Sequence, residues 1–227
     1  MNTSDKLTTR EVHIPAGAVT LPGTLILPAD CARVVLFAHG SGSSRHSPRN
    51  RFVAEVLQEA GTGTLLFDLL TELEAHDRRN VFDIELLAER LDQARGWLEA
   101  ETAREHPALG YFGASTGAAA ALVAEANNPH SVAAIVSRGG RPDLAGEALA
   151  RVTAPTLLIV GGADYDVLEL NKEALDRLRC PKRLAVVPGA THLFEEPGTL
   201  EQVADLASEW FGTRLTRSVA AAERQPR

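Results

Sequence analysis

The chain has 227 residues, of which 44% are hydrophobic. It can therefore bury a large core, and α/β folds of this size are commonly one domain. The net charge of −7 argues against nucleic acid as a partner. No run of about 18 apolar residues could span a membrane, and residues 1–10 lack the apolar core of a signal peptide.

The apolar pattern predicts strands alternating with helices, which is typical of an α/β fold with a mostly parallel sheet and helices on both faces. An antiparallel pair is predicted to open the chain. The whole of 1–227 is expected to form one domain, with its core at about 11–212 and a polar, fraying tail at 213–227. The predicted strands are 11–14, 19–27, 33–38, 63–68, 108–112, 132–137, 156–160 and 183–187, and the predicted helices are 48–60, 82–103, 115–126, 144–151, 167–178 and 200–211.

Two segments between these elements bear on how open a site could be. The polar segment 69–80 is predicted to be a surface loop, followed by a helix that buries an apolar stripe. Only 18 residues, 138–155, separate two neighbouring strands, which leaves room for one short helix and no cap domain. An open pocket, roofed at most by these two segments, favours small or extended substrates. The predicted stripe is Phe82, Leu86, Leu87, Leu91, Ala94 and Trp97.

The most informative motif is Gly-Ala-Ser-Thr-Gly at 113–117, between a buried-type strand and an alanine-rich helix. This is the G-x-S-x-G nucleophile elbow of serine hydrolases. A serine on so tight a turn has a strained backbone, and its neighbours two positions away must lack side chains. In this context the motif predicts that Ser115 is a nucleophile.

An acid and a base follow in the order that the elbow requires, Ser then Asp then His. Asp164 follows the predicted strand 156–160, and His192 lies in the loop after the next strand. Both should therefore leave the same edge of a parallel sheet as Ser115. His192 is predicted to be the general base and then acid, and Asp164 the carboxylate that orients it. Asp166 stays open as an alternative acid, although it also suits the first turn of a helix.

The loop after strand 33–38 is the predicted source of an oxyanion-hole donor. The backbone N–H of Ser41, with Gly42 as the alternative, is expected to act together with that of Thr116. His39, which opens the loop, is expected to hydrogen-bond within it and not to act as a second base.

The same loop permits a rival interpretation as a dinucleotide-binding unit. Gly40-Ser41-Gly42 follows a strand and precedes a helix, and the next predicted strand ends in Asp68, where such units place an acid for the ribose. Arg45, however, occupies the third glycine position of G-x-G-x-x-G, where it would block close packing of the helix on the strand. This interpretation is therefore disfavoured.

Together these residues resemble the dienelactone hydrolase group of α/β-hydrolases, over about 12–211. The resemblance rests on residues 39–42, 113–117, 161–164 and 190–192. The segments 43–50 and 137–142 further resemble a bacterial subgroup that is also found fused to phosphoribosyltransferase domains. The resemblance implies the α/β-hydrolase fold and hydrolysis of a small ester, lactone or thioester. Dienelactone hydrolases proper carry a cysteine nucleophile where this chain has Ser115, so a general serine esterase is the safer expectation.

Short arginine-rich stretches fall on loops at the predicted site. At least one of Arg45 and Arg138 is expected to face the pocket and bind an anionic group of the substrate. Alternatively, these arginines, together with Arg49 and Arg141, join loops through Asp68 or Asp143 and do not contact the substrate. No nucleic-acid or membrane partner is expected, and the oligomeric state stays open.

Neither a metal nor a cofactor is predicted. Cys31 and Cys180 have no metal-ligand spacing and imply no disulfide framework, so a reduced, cytoplasmic setting fits best. An acyltransferase would use the same triad, and a non-catalytic hydrolase-fold protein is a further alternative.

Overall fold

The computed structural model describes residues 7–216, and within this range eight strands form one sheet in the order β1-β2-β4-β3-β5-β6-β7-β8. The β1–β2 hairpin and the β2–β4 pair are antiparallel, and every other pair is parallel. The predicted α/β-hydrolase architecture is therefore confirmed. The strands are β1 Thr8–Ala16, β2 Val19–Leu27, β3 Arg33–Ala38, β4 Gly63–Phe67, β5 Ala108–Ala114, β6 Ala134–Arg138, β7 Thr156–Gly161 and β8 Lys182–Val187.

Helices cover both faces of the sheet, because the central strands are apolar on both sides and both faces must be removed from water. Helices α4 and α5 pack on one face, and α1 and α7 pack on the other. The helices are α1 Pro48–Glu59, α2 Glu72–Ala75, α3 Arg78–Val81, α4 Ile84–Glu101, α5 Thr116–Asn127, α6 Tyr165–Arg177 and α7 Thr199–Arg214, and the 3₁₀ segment Pro142–Arg151 is kinked at Gly146.

The prediction of a surface loop at 69–80 is wrong. Leu69 and Leu70 are buried, and the short helices α2 and α3 follow them. Helix α2 begins at a capping box, in which Thr71 and Glu74 satisfy each other's backbone N–H groups. Polar composition alone suggested a loop, whereas the Thr-x-x-Glu spacing is a helix-start signal.

The helix predicted at 82–103 begins later, because the Asp83 carboxylate accepts the N–H of Leu86 and so caps α4. Phe82 is consequently outside the helix and exposed, contrary to the predicted stripe. The predicted tail begins inside a helix, because α7 continues to Arg214, and Leu215 is buried. The rest of that tail lies outside the described residues.

Candidate active site

The backbone of Ser115 has φ 51° and ψ −120°, a conformation that L residues rarely adopt. It lies between β5 and α5, and its two glycine neighbours are sterically required. A Cβ on Gly113 would lie 2.4 Å from Cα of Ala118, and one on Gly117 would lie 2.2 Å from the carbonyl oxygen of Ala38. The strained turn that the motif predicts is therefore present. Strand β3 and helix α5 lie so close to it that a side chain does not fit at either glycine position.

Ser115 occupies the N-cap position of α5 but forms no side-chain hydrogen bond to the helix. Its half-buried hydroxyl is therefore not committed to a capping role. The backbone N–H of Ser115 donates instead to the carbonyl of Arg138, 3.3 Å away at the end of β6. The positive end of the α5 dipole favours negative charge at this position.

The structure brings Asp164 and His192 together, with Oδ2 and Nδ1 2.7 Å apart. Asp164 starts α6 at the carboxyl end of β7, and its side chain is only 15% exposed. A carboxylate accepts from Nδ1–H, which leaves Nε2 of His192 as the basic nitrogen. Asp166, the alternative acid, is exposed in the first turn of α6. The geometry therefore favours Asp164 over Asp166 as the orienting acid.

The loop that carries His192 is fixed by contacts that the sequence analysis did not identify. The carboxylate of Glu196 accepts the backbone N–H of Thr191 at 3.0 Å and its hydroxyl at 2.6 Å. The hydroxyl bond is the main reason that the pKa of Glu196 lies below its usual value. On the other side of His192, Phe194 is buried with φ 55°. A threonine followed five residues later by a glutamate was the only sequence signal for this support.

His39 uses both ring nitrogens within the protein. Its Nδ1–H donates to the carbonyl of Gly40 at 3.0 Å, and its Nε2 accepts the backbone N–H of Leu69 at 3.0 Å. Burial is the main cause that lowers its pKa, so the ring is neutral at pH 7. His39 therefore holds the loop after β3 against the segment after β4, beyond the within-loop role that we predicted for it.

The predicted oxyanion donors lie beside Ser115. A Cβ on Gly40 would come within 2.9 Å of Cβ of Ser115, so the loop after β3 is in close contact with the elbow. Within residues 7–216, no protein group accepts the backbone N–H of Ser41, Gly42 or Thr116. These donors are available to a ligand, as an oxyanion hole requires.

A cleft of about 510 Å³ opens beside these donors. Ser41, Gly42, Arg45 and Thr116 line this cleft, and segment 69–81 contributes much of its apolar lining. The predicted roof is therefore formed by that segment, whereas residues 142–151 do not line the cleft. The apolar wall consists of Pro22, Leu69, Leu70, Ala75, Val81 and Leu87.

The arginines predicted near the site have different partners. Arg45 lines the cleft, but its guanidinium pairs with Asp68 and its backbone N–H donates to the same carboxylate at 2.7 Å. The loop-joining alternative therefore describes Arg45, and Asp68 is not free for the ribose of a dinucleotide. Arg138 is 6% exposed and does not line the cleft. Its Nη2 donates to Oδ1 of Asn50 at 3.1 Å.

Among the described residues, no cluster of three or more His, Cys, Asp or Glu side chains could hold a metal ion. Cys31 and Cys180 are buried and form no disulfide. None of the helices described is long and apolar enough to cross a membrane.

Comparison with known proteins gives close relatives of two kinds. A crystal structure of dienelactone hydrolase from Anabaena variabilis shares 56% identity and a TM-score of 0.89, covering 92% of this chain and 99% of that protein. Two curated relatives, from two strains of Mycobacterium tuberculosis and named as candidate phosphoribosyl transferases, are 62% identical over 201 residues. This is 88% of this chain, which spans only 45% of their length.

A serine hydrolase without a lid from Xanthomonas campestris superposes with a TM-score of 0.74 at 19% sequence identity. The match covers 93% of this chain and 96% of that protein, and it shows similarity of fold alone. No family model matches the chain.

Proposed function

Because the chain belongs to the dienelactone hydrolase family of α/β-hydrolases, we propose that it cleaves a small carboxylic ester, lactone or thioester through an acyl-enzyme. Ser115 is the nucleophile, His192 the general base and acid, and Asp164 the orienting carboxylate. The observation that carries this proposal is the 2.7 Å Asp164–His192 hydrogen bond at the same sheet edge as a strained serine elbow. Family membership supports hydrolysis, and the residue roles are part of the proposal.

In the first half-reaction, Oγ of Ser115 attacks the acyl carbon while Nε2 of His192 takes its proton. The resulting oxyanion accepts hydrogen bonds from the backbone N–H groups of Ser41 and Thr116. His192 then passes the proton to the leaving alcohol, whose bond to the acyl carbon breaks. Asp164 keeps the imidazole in the tautomer that allows both transfers and stabilises the transient imidazolium.

In the second half-reaction, water takes the place of the alcohol. His192 removes its proton and the hydroxide adds to the acyl carbon. The bond between the acyl carbon and Oγ of Ser115 then breaks, the acid product leaves, and His192 returns the proton to Oγ. The neighbouring cleft has an apolar wall and room for a small acyl or alcohol group. Transfer to an added alcohol would use the same acyl-enzyme, so the first half-reaction is common to an esterase and an acyltransferase.

Labelling with a fluorophosphonate probe tests the nucleophile directly. The full chain should be labelled, and Ser115→Ala should abolish labelling and lower turnover of short 4-nitrophenyl esters by roughly 10⁴-fold or more. Ser208→Ala changes a half-buried serine on α7, which packs on the opposite face of the sheet from α5; it is the matched control and should be labelled normally. Retained labelling and esterase activity in Ser115→Ala would overturn the proposal. Product analysis with an added alcohol distinguishes hydrolysis from acyl transfer.

A further inference from the structure

Two sequence segments without a role in the proposed chemistry meet in the folded protein. These are 43–50, which runs into α1, and 137–142, which begins with the last two residues of β6. The link is the 3.1 Å hydrogen bond from Arg138 to the amide oxygen of Asn50, and both residues are buried. Because a buried arginine is uncommon unless it is paired, this contact needs a physical explanation.

Arg138 has no acidic partner. Within residues 7–216, no carboxylate oxygen lies within 4.0 Å of its guanidinium, and its Nε has no hydrogen-bond partner. Burial and the nearby charge of Arg49 lower the pKa of Arg138 to about 10, so the group still carries its charge at pH 7. By contrast Arg90, which is comparably buried, forms an ion pair with Glu74. A buried charge without a counterion is costly, and a bound anion would remove that cost.

Arg49 adds a second positive charge beside the first. Its side chain is 32% exposed, and its Nε is buried without a partner. Its contact with Glu195 is long, at 3.5 Å, and that glutamate is 65% exposed. Arg49 and Asn50 lie in the first turn of α1, which contains no acidic residue. The positive end of the helix dipole is therefore not offset by an acidic side chain of that turn.

This arginine pair adjoins the proposed catalytic residues. The carbonyl of Arg138 accepts the backbone N–H of Ser115 at 3.3 Å. A Cβ placed on the next residue, Gly139, would be 3.7 Å from Nδ1 of His192. The guanidinium of Arg138 faces the ring of Phe194, two residues beyond His192, at 6.0 Å. The backbone at 138–139 thus contacts both proposed catalytic residues, and the guanidinium of Arg138 extends from it to Asn50.

We propose that Arg138, Arg49 and the side-chain amide of Asn50 form a phosphate-binding site, and that the ester substrate carries a phosphate group that binds there. Two guanidinium groups match the charge of a phosphate, about −1.5 to −2 at pH 7, better than that of a carboxylate. Arg45 and Arg141 are excluded from this role because each is paired, with Asp68 and Asp143 respectively. The substrate class rests on the proposed hydrolase function, whereas the phosphate site can be measured without catalysis.

The first experiment titrates inorganic phosphate into the full chain and into its Ser115→Ala variant by calorimetry. Both should bind phosphate, and Arg49→Gln should weaken binding by roughly tenfold to a hundredfold. Arg138→Gln should weaken phosphate binding by a similar factor. If that change at a buried residue prevents folding, Arg49→Gln still tests the site. Arg51→Gln removes the same charge from an exposed site on α1 and should bind normally. Absence of phosphate binding, or equal binding in Arg49→Gln, would overturn the site.

The second experiment compares kcat/KM for the 4-nitrophenyl esters of 3-phosphonopropanoic acid, succinic acid and pentanoic acid. The phosphonate ester should be preferred by roughly tenfold or more over the neutral one. Arg49→Gln should lose this preference while still cleaving the pentanoate ester, and Arg51→Gln should keep it. Equal rates for all three esters, or a preference for succinate alone, would overturn the substrate assignment. Failure to cleave any ester, together with intact phosphate binding, would instead count against the proposed hydrolase.

Discussion

Asp164 accepts a hydrogen bond from His192 at 2.7 Å and is also the residue at which helix α6 begins. Asp164 makes no side-chain cap to the helix, so both of its carboxylate oxygens stay available to the imidazole. The start of α6 therefore holds the acid in place without competing for its oxygens. Asp166, in the first turn, is left to interact with the helix dipole.

This arrangement predicts opposite consequences for two neighbouring substitutions. Asp164→Asn should lower ester turnover by roughly 10⁴-fold with little loss of stability, because an amide no longer selects the Nδ1–H tautomer of His192. Asp166→Asn should leave turnover within about twofold and cost at most about 1 kcal/mol through the helix dipole. Steady-state kinetics and denaturant unfolding of both variants measure these effects. A larger turnover loss in Asp166→Asn would transfer the orienting role to that residue.

The close approach of β3 to the elbow predicts a large effect at Gly117. A methyl group there would lie 2.2 Å from the carbonyl oxygen of Ala38 and 2.6 Å from that of His39, so backbone atoms and not a flexible side chain would have to shift. We expect Gly117→Ala to destabilise the protein by about 3 kcal/mol or more, or to abolish folding.

Gly96→Ala provides the matched control. Gly96 lies in α4, where an added Cβ has no neighbour within 4 Å. Alanine is the better helix former, so this variant should gain about 0.5–1 kcal/mol. Denaturant midpoints compare the two, and equal stabilities would refute the steric account of the elbow.

The order of strands and helices and the predicted site residues followed from short-range patterns. The elbow at 113–117 and the acid and base that follow it each lie at the end of an apolar strand, so parallel topology alone brings them to one edge. Segment 69–80 was mispredicted because its helices are short and depend on the capping pair Thr71 and Glu74. Asp68 and Asp143 were expected as partners if the arginines join loops, and they pair with Arg45 and Arg141, but the sequence did not predict which arginines these would be. Which arginine meets a carboxylate depends on contacts such as Arg45–Asp68, between loops that are distant in sequence.

The burial of the His39 ring predicts a pH-dependent contribution to stability. Its pKa in the folded state lies below the usual 6.5, mainly because of burial. Below pH 6.5 the imidazole of residue 39 therefore binds a proton in the unfolded chain but not in the folded protein. The free energy of unfolding must consequently decrease as the pH falls. The contribution is complete above pH 6.5 and is lost as the pH decreases towards the folded pKa.

Measuring the free energy of unfolding between pH 8 and pH 5 tests this. The decrease below pH 6.5 should be shallower in His39→Gln, which cannot take up the proton. His46→Gln, at an exposed position in the same loop, should retain the wild-type slope. Identical slopes in the wild type and in His39→Gln would exclude His39 as the group responsible.

The wall of the cleft depends on the ion pair between Arg90 of α4 and Glu74 of α2. Arg90 also donates to the carbonyl of Ala16, so its guanidinium connects the cleft wall, α4 and the β1–β2 hairpin. Glu74 is held as a carboxylate at neutral pH. Burial would raise its pKa, but the bonds from Thr71 and the charge of Arg90 together keep it below the usual value.

Glu74→Ala should therefore destabilise the protein by about 3 kcal/mol, since it removes the capping box and leaves Arg90 buried with an unpaired charge. Glu89→Ala removes an exposed acid from α4 that does not line the cleft, and should change stability by less than about 0.5 kcal/mol. Because α2 helps to line the cleft, the KM for an apolar ester should rise in Glu74→Ala with a smaller change in kcat. Thermal unfolding and steady-state kinetics would contradict this account if the two variants behaved alike, because the wall would then be held by its apolar contacts and not by the Arg90–Glu74 pair.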